Sequence, residues 1–245
     1  MDLLQLLSKI NTIAKSNNIS QIFVVGGASR DRIMQRSENF ADIDITTGDQ
    51  TIYQLGPILA KSIVNSTHLH FPDGHDRVMV PGLKLDFSSN FIIPGAANFL
   101  KERQLPTDTL HQEMISRDFT CNSLLMSMDL TTITDPLKVG IKDIENKILD
   151  TCLSPNLTLR YDHKRIIRIV YMGAKLNFTP SERIIEWVKS HRASITTVSS
   201  EYLTKKLLKS IKYSLPKTVE LLDLLQLWEY IPAVPELIPY LAQRL

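Results

Sequence analysis

The amino-acid sequence predicts an α+β head followed by an all-helical segment, and three observations carry that reading. Short apolar runs alternate with helical stretches over the first 155 or so residues. From about residue 156 onward every segment has helical spacing. The charge changes sign near the same place: residues 1–155 hold 14 Lys and Arg against 18 Asp and Glu, while residues 156–245 hold 14 against 8. The expected domains are therefore 1–155 and 156–245, and a chain of 245 residues can bury a core in each.

The elements follow in order. Leu3, Leu4, Leu6, Leu7, Ile10 and Ile13 recur on one face of a helix. Ile22-Phe23-Val24-Val25 is a buried strand stopped by Gly26-Gly27, and Ser29 to Arg36 a short helix. Asp42-Ile43-Asp44-Ile45-Thr46 alternates polar and apolar, as a strand with one wet face does. Residues 50–66 are helical, with strands around Arg77–Val80 and Leu83–Ser88 after them. Pro94 to Pro106 has no clear period and is expected to be a mobile loop. Residues 110–128 are expected as one helix and Ile148–Thr151 as a strand. Helices at 162–176, 181–191, 200–212, 217–229 and 235–244 complete the chain.

Composition narrows the function. Hydrophobic residues make up 43% and charged residues 22%, the ordinary mix of a globular protein. Two cysteines, Cys121 and Cys152, make no disulfide scaffold or zinc knuckle and are expected to stay reduced, which favours a cytoplasmic setting. MDLLQLLSKI has neither the basic start nor the cleavage site of a signal peptide, and no apolar run of about 18 residues suggests a membrane span. The basic excess is concentrated in residues 156–214, with 12 cationic against 4 anionic side chains. An acidic first part joined to a basic second part suits a metal site beside a polyanion-binding surface, though solvated helix faces give the same pattern.

The chemistry centres on Asp42 and Asp44. Two residues apart on a strand, both carboxylates project from one face while Ile43 and Ile45 enter the core. Paired carboxylates repel unless a divalent cation sits between them; a lone pair of this kind can equally be a solvated turn. Asp86, between Leu85 and Phe87 on a strand, is a third carboxylate that would complete a two-metal site. Upstream, Gly26-Gly27-Ala28-Ser29-Arg30-Asp31 leads from strand to helix. Its glycines let backbone amides approach a phosphate, and Ser29 and Arg30 add a hydroxyl and a guanidinium. His68, His70, His75 and Asp76 could be imagined as a zinc site but read as a surface loop.

Taken with Ser116-Arg117-Asp118-Phe119-Thr120-Cys121-Asn122-Ser123, these segments resemble the head domain of tRNA nucleotidyltransferases (CCA-adding enzymes) and bacterial poly(A) polymerases. VVGGASRD, DIDI and RDFTCNSL correspond to the family's VGGxVRD, DxD and RRDFTxNAL patterns in the same order. The resemblance continues through Thr134-Asp135-Pro136-Leu137 and Asp143–Leu149. Asp162-His163-Lys164-Arg165-Ile166-Ile167-Arg168 with Ala174–Phe178 then resembles the family's neck motif. It implies a polymerase-beta-like nucleotidyltransferase head with a mixed sheet, and a helical neck that selects the base and binds RNA.

By the same resemblance, Gly26, Gly27, Ser29 and Arg30 would hold the triphosphate of ATP or CTP. Asp42, Asp44 and Asp86 would bind two Mg²⁺ ions. Arg117, Asp118 and Asn122 would hold ribose and phosphates, and Asp162 and Arg165 would face the base. Asp162 and Arg165 are spaced to share a helix face. A carboxylate that only accepts and a guanidinium that only donates match the amino and ring-nitrogen edge of cytosine or adenine. Spacing alone would equally give a surface ion pair. Lys164, Arg168, Lys175, Lys205, Lys206 and Lys209 are the expected RNA contacts. The sequence departs from the family at Tyr161, which replaces an acidic residue, at Ser116, which replaces the first Arg of RRDFT, and at Ser123. Residues 68–77 lack the Gly-Arg-Arg-Phe element of the poly(A) polymerases, so addition of CMP and AMP to tRNA is the first expectation, with poly(A) or short oligo(A) addition the second. The three carboxylates argue against a third, a non-catalytic RNA-binding module. Head and neck are expected without the family's body and tail, and a second copy or separate partner would dock on 217–229 and 235–244.

Overall fold

Asp42–Thr46 folds as its alternation demands. Ile43 and Ile45 are fully buried, while Asp42 and Asp44 turn to the other face. This strand lies at the middle of the first of two compact units, Met1–Lys142 and Asp143–Leu245, in a computed structural model that describes residues 2–19, 21–36, 40, 42–88 and 91–241.

In the first unit the elements run α1 (Leu3–Ser16), β1 (Phe23–Val25), α2 (Gly27–Ile33), β2 (Asp42–Thr46), α3 (Ile52–Ser62), β3 (Thr67–His70), β4 (Asp76–Val80), β5 (Leu83–Phe87), α4 (Ala96–Glu102), α5 (Thr109–Ser116), β6 (Leu125–Met126) and β7 (Ile133–Thr134). Helix α6 (Gly140–Glu145) spans the junction of the units. The strands form one mixed seven-stranded sheet in the order β3-β4-β5-β2-β1-β6-β7, in which only β2 and β5 run parallel. Asp2 caps α1 through a capping box with Gln5, and its buried Leu6, Leu7, Ile10 and Ala14 meet the sheet. They share a core with Ile43, Ile45, Leu55, Leu59, Leu85 and Phe87. The opposite face carries Val25, packed with Leu110 and Met114 of α5. Val25 stands opposite Asp44, so the aspartates share this second face.

Several expectations change here. Pro94 to Pro106 contains α4, which packs on α5; seven residues are too short to show a period, and Gly95 opens the helix in a left-handed conformation. The helix expected over 110–128 ends at Ser116. Arg117 is extended, and a 3₁₀ turn over Thr120–Asn122 leads into β6. His68 and His70 lie on β3, not in a loop. Their imidazoles both reach Asp76 Oδ1 of β4, at 3.1 and 2.7 Å.

In the second unit β8 (Ile148–Leu149) is followed by α7 (Pro155–Tyr161), α8 (Lys164–Leu176), β9 (Thr179–Pro180), α9 (Glu182–His191), α10 (Ser200–Tyr213), α11 (Leu215–Leu225) and α12 (Ile238–Leu241). Among its described residues the unit is helical apart from the β8–β9 pair. That pairing draws residues 143–155 to the helices, so the units divide ahead of the charge boundary. Helix α8 packs on α10 and α11. Ser210 and Thr218 join their hydroxyls at 2.7 Å beneath the Val170 carbonyl, tying the three helices together in the core. Leu221, Leu222, Leu225 and Leu227 are buried, which leaves that leucine run to the unit's own core. The helix expected over 235–244 begins as a 3₁₀ turn, Pro235–Leu237, before α12; its last residues lie outside the described ones. Among the described residues no helix is long and apolar enough to cross a membrane.

Candidate active site

The parallel pairing of β2 with β5 sets Asp44 directly beside Asp86 and Asp42 beside Lys84. Lys84 Nζ lies 3.4 Å from Asp42 Oδ1. From β4, Arg77 grips Asp86 with a forked pair of hydrogen bonds, Nε to Oδ1 at 2.5 Å and Nη2 to Oδ2 at 2.8 Å. That bond to Asp86, assisted by the charges of Asp42 and Asp44 and opposed by partial burial, holds the Arg77 guanidinium above its ordinary pKa. The edge of β2 and β5 is thus a negative field.

The turn after β1 closes on Asp44. Gly26 has φ +72°, and a Cβ built there would lie 2.5 Å from Asp44 Oδ2 and 3.5 Å from Arg117 Nη1. Only glycine lets the chain pass so close to the carboxylate. Gly27 faces the Arg30 guanidinium. Arg30 is 2% exposed, donates Nε to Asp31 Oδ1 at 2.9 Å and Nη1 to Asn122 Oδ1 at 2.5 Å. Its Nη2 lies 2.7 Å from Asp31 Oδ1 without the alignment of a hydrogen bond, so a buried donor stays unsatisfied beside the glycine turn. Asn122 in turn donates to Asp118 Oδ1 at 2.9 Å. Asp118 and Asn122 therefore orient Arg30. Ser29 is fully buried and gives its hydroxyl to the Val24 carbonyl, which braces the turn. Ser116 hydrogen-bonds Gln112 O and Ile93 N.

Sequence reading missed Glu113. It is 2% exposed, on α5, whose Leu110 and Met114 pack on the sheet face that carries the aspartates. It accepts Thr46 Oγ1 from the end of β2 at 2.6 Å, Ser88 Oγ from the end of β5 at 2.8 Å and Arg117 Nη2 at 3.0 Å. One carboxylate thus fixes the spacing of both aspartate-bearing strands and the aim of Arg117. Its signal in the sequence is slight: an acidic residue four before the Arg of RDFT.

In the second unit, Asp162 and Arg165 do not share a helix. Asp162 is extended in the junction between α7 and α8 and accepts the Lys164 amide at 3.0 Å; Arg165 sits in the first turn of α8. The Arg165 amide donates to the Asp162 carbonyl at 3.0 Å, and Arg165 Nε lies 3.9 Å from Asp162 Oδ2, with Arg165 buried and Asp162 39% exposed in its side chain. The turn between the helices, not helical spacing, brings the two together.

The same stretch of chain is shared with known proteins. The family described as the poly A polymerase head domain covers residues 22–150, and thus every residue of the first-unit site. The chain belongs to that family. It is 24% identical over 227 residues to tRNA nucleotidyltransferase cca2 of Schizosaccharomyces pombe, covering 83% of this chain and 46% of that protein. It is 27% identical over 215 residues to the CCA-adding enzyme of Staphylococcus epidermidis, covering 86% and 51%. The fold matches the Bacillus stearothermophilus CCA-adding enzyme solved with CTP, at TM-score 0.75 and 20% identity over 96% of this chain and 55% of that one. The chain spans about half the length of the curated relatives it matches.

The residues fit the groups the family implies only in part. Carboxylate oxygens are the ligands Mg²⁺ takes, and Asp42 and Asp44 offer them on one face. Asp86 has both oxygens committed to Arg77. Among the described residues no three His, Cys, Asp or Glu side chains are arranged to hold a metal. The buried, unsatisfied Nη2 of Arg30 fits an anion such as a phosphate.

Proposed function

We propose that this chain transfers CMP and AMP from CTP and ATP to the 3′ end of tRNA. The single observation that carries the reading is Asp44 pressed against Gly26 at the edge of the β2–β5 pair, beside Arg117, within the family match. The ribose 3′-oxygen attacks the α-phosphorus, the bond from that phosphorus to the β-phosphate oxygen breaks, and pyrophosphate leaves. Little covalent work falls to the protein, so its side chains position and neutralise. Asp42 and Asp44 would hold Mg²⁺, which when bound supplies a more acidic hydroxyl and charge relief on the leaving oxygen. Asp86 keeps Arg77 in place at the edge of that field. Arg30, oriented by Asp118 and Asn122, neutralises the triphosphate beside Gly26 and Gly27. Arg117, aimed by Glu113, holds the phosphates or ribose. In the second unit Asp162 accepts from the exocyclic amino group of C or A while Arg165 donates to the ring nitrogen. Lys164, Arg168, Lys175, Lys205, Lys206 and Lys209 contact RNA phosphates.

The test is incubation of tRNA lacking its 3′ CCA with each labelled NTP and Mg²⁺, followed by sequencing of the product ends. C and A are expected at the end, with Asp44→Asn slower by roughly three orders of magnitude, the scale of a lost electrostatic stabiliser. A-only tails would make the chain an oligo(A) polymerase, and equal rates for wild type and Asp44→Asn would overturn the assignment of the site.

A further inference from the structure

Helices α8 and α10 each carry a stripe of mixed cations and tyrosines. On α8 it is Lys164, Arg168, Tyr171 and Lys175; on α10 it is Tyr202, Lys206, Lys209 and Tyr213. Offsets of four, seven and eleven keep each set on one helix face. The two stripes meet. Lys164 Nζ lies 5.7 Å from the centre of the Tyr202 ring, and Lys175 Nζ lies 5.9 Å from that of Tyr213. Lys206 Nζ sits between two rings, 4.9 Å from Tyr171 and 5.3 Å from Tyr202. Tyr171 and Tyr213 touch edge to face, their centres 5.9 Å apart. The pairs occur in the same order along both helices, so α8 and α10 lie side by side in one direction and the contacts form a continuous ladder. From Lys164 to Lys175 it is about 16 Å long at the helical rise.

We infer that this ladder is a binding strip for single-stranded RNA; the inference rests on the RNA-directed reading above and assigns the strand to one face of the second unit. A simple phosphate-binding surface needs cations and gains nothing from interleaved rings. Double-helical RNA hides its base faces and is held through phosphates and 2′-hydroxyls. A single strand offers both charges and open base faces, and proteins that track one combine a cationic groove with stacking platforms. Tyr213 is 53% exposed, enough to offer its ring to a base. Lysine ammonium groups resting on the rings are attracted by them only weakly at such exposed sites, so a phosphate can draw each one outward while the ring stays in place. The ladder's length suits about five stacked nucleotides at 3.4 Å each. Lys212 and Lys189 lie off both stripes and make no ring contact of this kind in the structure's ladder.

The experiment compares a 12-nucleotide unpaired RNA with a blunt RNA hairpin of equal charge, by fluorescence anisotropy across salt, on the full chain. Three variants are used: K175Q/K206Q, Y213L and K189Q/K212Q. The first and third each remove two positive charges, and only the first touches the ladder. For the unpaired RNA, K175Q/K206Q is expected to weaken binding about tenfold and to lower the slope of log affinity against log salt by about 1.4, the value for two phosphate contacts on a single strand. Y213L should weaken the unpaired RNA about fivefold and leave the hairpin unchanged. K189Q/K212Q should change either affinity less than twofold. Circular dichroism melting checks that each variant folds. Equal losses in the two double variants, or a hairpin bound more tightly than the unpaired strand, would overturn the ladder as a single-strand site. Nucleotide transfer is measured in parallel. Normal transfer with no ladder effect would refute the ladder alone, while ladder-dependent binding without transfer would refute the proposed function alone.

Discussion

At Gly26 one hydrogen atom decides whether the site exists. The residue has φ +72° and ψ −128°, a conformation that side chains resist, and any Cβ would strike Asp44 Oδ2. Gly26→Ala should therefore destabilise the fold by about 1–3 kcal/mol and displace the Asp44 carboxylate. Because both changes disable one carboxylate, Gly26→Ala combined with Asp44→Asn should be hardly slower than Asp44→Asn alone; additive losses measured in such a cycle would show that Gly26 acts elsewhere. Asp162 gives a different expectation. If it reads the base, Asp162→Ala should erode discrimination of CTP and ATP against UTP and GTP by about 1–3 kcal/mol, the worth of a hydrogen bond to a charged group, while transfer of the preferred nucleotide slows less. An unchanged nucleotide preference returns the pair to an ion pair at 3.9 Å. The aspartates and the glycine turn were legible in the sequence because strand alternation and glycine are local signals. Glu113 was not, since its three partners come from positions 46, 88 and 117 and only the fold collects them.

Local patterning read well where elements are long. The spacing of α1, α8, α9 and α10 locates each of them to within a few residues. It failed where elements are short or ended by tertiary demands: α4 at seven residues, β6 and β7 at two each, and α5, which stops so that Arg117 can extend toward Gly26. Packing between long elements makes its own prediction. Gly173 lies where α8 crosses α11, and a Cβ there would meet Leu221 Cδ1 at 2.6 Å and the Phe178 carbonyl at 3.2 Å. An alanine would gain about 1 kcal/mol of helix propensity. Overpacking a filled core costs about 1–3 kcal/mol, and the buried Leu221 has little room to yield. Gly173→Ala should thus be net destabilising by about 1 kcal/mol in denaturant melts. Made on a Leu221→Ala background, which is itself destabilised by about 2–5 kcal/mol but vacates the contact, Gly173→Ala should cost less than it does in the wild type. A Gly173→Ala protein more stable than wild type would show that α8 and α11 can separate at no cost.

Charge is distributed over the whole molecule in a way that separates two kinetic constants. Residues 1–142 hold 13 cationic against 15 anionic side chains, and residues 143–245 hold 15 against 11. That asymmetry was plain in the sequence; the division of the units was not, because it depends on β8 reaching across to β9. On the proposed function the chemistry of transfer falls to the first unit, where Arg30 and Glu113 are buried and salt screens their short-range contacts weakly. On the same proposal RNA affinity falls to the exposed cations of the second, where binding releases counterions. Salt should therefore act on the KM for RNA and spare kcat. If the three ladder lysines that rest on rings, Lys164, Lys175 and Lys206, each hold one phosphate of a single strand, they alone give log affinity against log salt a slope of about −2, so that a fourfold rise from about 50 to 200 mM raises the KM for RNA at least roughly fifteenfold. The kcat at saturating RNA should stay within about twofold over the same range, as expected of contacts within a Debye length of roughly 7–14 Å. Steady-state transfer measured over a matrix of RNA and salt concentrations separates the two constants. A kcat that falls with salt while the KM for RNA stays flat would place the salt-sensitive contacts in the reaction itself, and the division of labour between an acidic catalytic unit and a basic RNA-holding unit would be wrong.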